Sequence, residues 1–149
     1  MTAAPRSSGF TLVELVMVII LVGVLSVLGV GLFTRSSAFA PLLATQQLAS
    51  ATLLAQQAAL AGNPANTLTV VQTAGEFRFE VGAGTGNPRV FTLPREGTSI
   101  AGYSGPLLLT FNDRAELGSG MDISIAFVGD SNFQTCISSL GAVYAGSCQ

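Results

Sequence analysis

Apolar residues are distributed along the chain in three regimes. Residues 15–33 form an unbroken apolar run in which Ser26 is the only polar side chain and none is ionisable. As a helix such a run rises about 28 Å, close to the hydrocarbon thickness of a bilayer, so it predicts a membrane-spanning helix. Polarity then increases at Thr34, Arg35, Ser36 and Ser37, but helix-forming residues continue to Ala61 without a glycine before Gly62. The pattern predicts one long helix that continues out of the membrane. On its wheel Phe39, Leu42, Ala49, Leu53 and Leu60 fall on one side, with Leu43 and Leu54 on the flank, and this stripe is expected to pack on a sheet. Gln46, Gln47, Gln56 and Gln57 dilute it, which leaves a partly exposed, alanine-rich helix as the other reading. Pro41 predicts a kink or a break, and Gly62-Asn63-Pro64 predicts the helix end.

From Asn66 onward the period changes to two. Residues 67–73 and 76–81 predict two strands joined at Ala74-Gly75, the second with Phe77, Phe79 and Val81 on one face and Glu76, Arg78 and Glu80 on the other. A glycine-rich loop over 82–88 follows, then strands over 89–93, 107–111 and 123–127, with a polar loop at 112–120. Residues 133–137 and 142–144 predict a terminal hairpin. The fold class is therefore α+β, a long N-terminal helix laid on an antiparallel sheet.

One residue disturbs the apolar regime. Glu14 stands at its head, where insertion scales charge a lone carboxylate roughly 2.5–3.5 kcal/mol. It either marks a helix start, favoured by the positive end of the helix dipole, or it has a partner. Its neighbours bear on the second of these. Gly9-Phe10-Thr11-Leu12-Val13-Glu14, preceded by a short polar leader with Arg6 and followed by the apolar run, resembles the class III signal of type IV prepilins and type II secretion pseudopilins. The resemblance implies cleavage by prepilin peptidase between Gly9 and Phe10, N-methylation of Phe10, and assembly with other pilin or pseudopilin subunits. In the filament Glu14 would face the amine of a neighbouring Phe10, and removing one partner of such a buried pair leaves a charge costing about 3–5 kcal/mol.

This divides the chain into a leader (1–9), a transmembrane segment (10–34), an amphipathic continuation of the helix (35–62) and a periplasmic β domain (63–149). The implied location is the inner membrane, single-pass with the C-terminal part in the periplasm, and then a pilus or pseudopilus. Arg6 and Arg35 lie on either side of the span, so charge alone fixes little of this orientation. A secretory signal cleaved near Ala40 is the competing processing scheme, and Glu14 speaks against it. Gly23, Ser26, Gly29 and Gly31 would allow close helix approach, or are incidental glycines in an apolar helix.

Residues 107–115, 123–127 and 141–144 resemble the C-terminal region of minor subunits grouped with the H-type pseudopilin and with mannose-sensitive haemagglutinin minor pilins. The glycine usual in that pattern is replaced by Ala115. In an oxidising periplasm Cys136 and Cys148, the two cysteines of the chain, are expected to pair, the alternative being two independent buried thiols.

Composition restricts the chemistry. With 149 residues, 49% of them hydrophobic and 9% charged, there is material for one modest core beside the apolar segment. The formal charge is −2, and loss of Arg6 with the leader would leave five arginines against eight carboxylates, a formal −3. The absence of histidine and lysine excludes Ser-His and Cys-His nucleophile pairs and a lysine-ended phosphate loop, so no enzyme and no cofactor is expected. Asp113, Glu116 and Asp122 with Asn112 are a conceivable calcium set, against ordinary solvated carboxylates. Arg78, Arg89, Arg95 and Arg114 are dispersed among acids, so nucleic acid is not an expected partner, although a minor pilin capturing DNA or another ligand is the alternative function.

Overall fold

The computed structural model describes residues 10–33 and 36–149, and contacts divide the chain into two units, 1–35 and 36–149. The leader and the junction Thr34-Arg35, across which one continuous helix was expected, lie outside the described residues.

In the first unit α1 spans Leu12–Phe33, a 22-residue helix. Its side chains from Leu12 to Val27 are exposed all round, so nothing within the unit explains their apolarity. The hydroxyl of Ser26 donates to the Val22 carbonyl oxygen at 2.7 Å, which satisfies the one polar side chain of the run inside the helix itself.

The second unit comprises α2 (Ser36–Leu60) and eight strands: β1 (Thr67–Gln72), β2 (Glu76–Val81), β3 (Arg89–Pro94), β4 (Ser99–Ile100), β5 (Leu107–Thr110), β6 (Ile123–Val128), β7 (Asn132–Ile137) and β8 (Val143–Ala145). The fold is α+β with a pilin-like layout. Its strands, all antiparallel, are divided between two sheets of order β3-β2-β1-β5 and β4-β6-β7-β8, where the periodicity had suggested one. Helix α2 packs on both, against β1 and β2 on one side and β6 and β7 on the other. Phe77 from the first sheet and Phe127 from the second meet edge to face at 5.4 Å beneath it, and Phe79, Phe111, Leu48, Leu109 and Ile125 complete a fully buried core.

The face that α2 presents to this core is not the expected one. Ala40, Ala44, Leu48, Ala51, Ala55 and Ala59 are buried, whereas Phe39, Leu43, Leu53 and Leu60 are exposed. The sheets supply four large phenylalanines, so the volume under the helix is already filled from below. Small side chains let the helix backbone approach that layer closely, and the bulky residues are left on the outside. Pro41 lies within α2 without ending it. The first turn is secured from the β6–β7 turn, where the hydroxyl of Ser37 donates to Asp130 and that of Ser131 to the Ala38 carbonyl oxygen, each at 2.5 Å. At the other end Gly62, at φ 67°, donates to Ala59 at 3.0 Å, and Asn63 donates to Ala58 at 2.9 Å, a glycine-based cap where the sequence placed the helix end. By length and hydropathy α2 also qualifies as a membrane span, from Ser37 to Leu60, but its buried face identifies it as the core helix of this unit.

Candidate functional site

The candidate signal begins at Phe10, which is exposed and precedes the helix; Gly9 lies outside the described residues. Thr11 is the N-cap of α1. Its carbonyl oxygen accepts the amide of Leu15 at 3.1 Å, its hydroxyl accepts the amide of Glu14 at 3.3 Å, and its own amide donates to Glu14 Oε2 at 3.4 Å. This reciprocal pair is a capping box, which satisfies amides that a helix end otherwise leaves open. The helix-start role weighed for Glu14 is thus present in the structure, and Thr11 is a participant that the sequence reading overlooked. The spacing Thr-x-x-Glu ahead of an apolar run was the available signal. One long contact leaves most of the acceptor capacity of the carboxylate unused.

In the second unit the outward positions of α2 are Phe39, Leu43, Gln46, Ser50, Leu53, Gln57 and Leu60, all exposed. They recur at alternating steps of four and three, as one face of a helix does, and Phe39, Leu43, Leu53 and Leu60 are the large apolar residues among them. Gln56, read from sequence as diluting an apolar stripe, is instead buried in the packed face and bonds two loops.

Cys136 and Cys148 form a disulfide with their Cα atoms 5.1 Å apart, tying the C-terminal segment to β7. The carboxylates considered for calcium serve separate loops. Glu116 accepts from the side-chain amide of Asn112 at 2.8 Å and Asp122 accepts from the Ser139 amide at 2.6 Å. No group of three potential metal ligands occurs among the described residues. Two of the arginines are engaged internally. Arg95 donates to the carbonyl oxygens of Thr98 and Thr73, both at 2.7 Å, and lies over the Phe77 ring, while Arg78 pairs with Glu80 at 3.5 Å.

A family model described as a prokaryotic N-terminal methylation motif matches residues 5–30. No curated protein and no solved structure matches the chain. The match covers residues 5–9 of the expected leader, the capping box and most of α1. The chain therefore carries a prokaryotic N-terminal methylation motif over residues 5–30, and its residues 36–149 form an α+β unit of pilin-like layout.

Proposed function

We propose that the protein is a minor structural subunit of a type IV pilus or a type II secretion pseudopilus. On this reading prepilin peptidase cleaves between Gly9 and Phe10 and methylates the new amine. Helix α1 holds the subunit in the inner membrane with residues 36–149 in the periplasm, and the subunit then enters a filament through its helices. The observation that carries the reading is the methylation motif at residues 5–30, placed on a helix whose apolar side chains find no cover within their own unit. The outward face of α2 supports it, since Phe39, Leu43, Leu53 and Leu60 remain exposed there and large apolar residues favour burial against another surface.

Glu14 is the residue on which assembly depends in this scheme. The capping box stabilises the start of α1 but leaves a full negative charge at the head of an apolar helix, and the amine of a neighbouring Phe10 would neutralise it. The two roles separate in one substitution. Glu14→Gln keeps an amide able to cap Thr11 and removes the charge, whereas Glu14→Leu removes both. Both variants should insert in the membrane, because insertion becomes easier without the charge, and both should fail to assemble. Normal filament numbers with Glu14→Gln would reduce Glu14 to a helix cap.

A further inference from the structure

Helix α2 runs from Ser36 to Leu60 without one ionisable side chain, and none follows before Glu76. A surface helix ordinarily turns charged and polar side chains to water and apolar ones to the core. In α2 the outward face carries no charge at all. Its large residues Phe39, Leu43, Leu53 and Leu60 are between 48% and 62% exposed, with only uncharged glutamines and Ser50 between them. The opposite face is closed against both sheets, so the exposed row has nothing left to pack on within its own unit. A contiguous apolar row of this kind marks a contact surface.

Charge distribution and chain connection together name the surface that covers it. In β2 the buried Phe77 and Phe79 face the core under α2, and alternation sets Glu76, Arg78 and Glu80 on the other side of the sheet, away from the helix. The first sheet thus turns its charges to water on the side opposite the uncharged face of α2. Helix α1 ends at Phe33 and α2 begins at Ser36, so with α1 in a membrane the covalent chain alone holds the start of α2 beside the bilayer. A contact tethered so closely forms at an effective concentration on the order of millimolar, and needs far less affinity than that of a free helix. No charged group on the face has to give up its hydration.

We infer that, given the membrane anchoring proposed above, the subunit rests before assembly with the outward face of α2 on the lipid surface. Phe39, Leu43, Leu53 and Leu60 enter the boundary between headgroups and acyl chains, where an interfacial helix buries its apolar face about 5–10 Å deep. Gln46, Ser50 and Gln57 stay among the headgroups. Entry into a filament then exchanges lipid for neighbouring subunits on the same face.

The chain contains no tryptophan, so single-tryptophan variants of the full-length protein each report on one position. Phe39→Trp, Leu43→Trp, Leu53→Trp and Leu60→Trp alter exposed side chains and leave the core intact. Val24→Trp in α1 and Leu108→Trp on β5, where Leu108 is 62% exposed between buried neighbours, serve as references. The variants are reconstituted at low protein density in vesicles of phosphatidylcholine with brominated acyl chains. Relative to unbrominated vesicles, all four α2 variants should lose at least about half as much emission as Val24→Trp, with no change in high salt. Leu108→Trp should lose almost none. Quenching of the α2 variants no greater than that of Leu108→Trp, or quenching that falls to that level between Phe39 and Leu60, would overturn the lipid contact while a quenched Val24→Trp still reports an anchored α1. Blue-shifted but unquenched emission along α2 would overturn it as well and place a second copy on the face. An unquenched Val24→Trp removes the anchor, and with it both the lipid contact and the proposed function.

Discussion

The side-chain amide of Gln56 donates to the carbonyl oxygen of Gly141 at 2.6 Å and, from the same nitrogen, to that of Ala115 at 3.2 Å. A single side chain on the buried face of α2 thus joins the helix to the loop after β5 and to the turn before β8. Gly141 sits at φ 89°, and a Cβ there would lie 2.2 Å from the Ala115 oxygen and 2.8 Å from the Gln56 amide nitrogen. The three residues form one junction of helix, loop and turn.

Gln56→Leu fills the same space but leaves two part-buried carbonyls unpaired, and should cost about 2–3 kcal/mol of unfolding free energy. Gly141→Ala should cost more, because the obstructing atom is a backbone oxygen and the φ value itself disfavours a side chain. Denaturant titration of both variants checks the order. Equal and negligible losses would show that the junction contributes nothing.

The neighbouring loop contains the reverse case. Ala115 adopts φ 61°, a left-handed conformation that glycine takes freely. The position where the sequence resemblance led us to expect glycine therefore has a backbone requirement that alanine meets at a cost. Ala115→Gly should stabilise the domain by about 0.5–1 kcal/mol, the relief of strain exceeding the added freedom of the unfolded chain. A rise in the denaturation midpoint at constant slope is the expected result.

The disulfide closes a segment of sequence separation 12 that includes β8. In the chain-entropy account a loop of this size stabilises by roughly 3 kcal/mol. Cys148→Ser should lower the unfolding free energy by about that amount and should make the denaturation midpoint insensitive to reductant. An unchanged midpoint would show that β8 holds without its tether.

Much of this fold was legible where local chemistry decides it. The apolar run gave α1, Gly62-Asn63 gave the end of α2, and the alternation of Phe77, Phe79 and Val81 gave the inward face of β2. What escaped depends on pairing between distant residues. The buried face of α2 is marked by alanines, whose small side chains weigh little in an apolar count, while Phe39 and Leu53 weigh heavily and point outward. The strand β4 has two residues on a glycine-flanked link, too short to show a period. The split into two sheets follows from which strands pair, and alternation within a strand does not specify its partner. Gln56 looked like surface polarity because its acceptors lie 59 and 85 residues away. In the candidate signal the motif itself was legible, whereas the Thr11–Glu14 pair depends on the residue at which the helix starts, which the apolar run does not mark.

The proposed role rests on a processed N-terminus that begins with an amine at Phe10, because only then does Glu14 acquire a cation of the right kind in a neighbouring copy. Mass determination of the N-terminal peptide of the protein purified from cells with an active prepilin peptidase tests this directly. The predicted peptide starts at Phe10 and carries one added methyl group on its amine. A chain that still starts at Met1, or one that starts beyond the apolar run near Ala40, would contradict it.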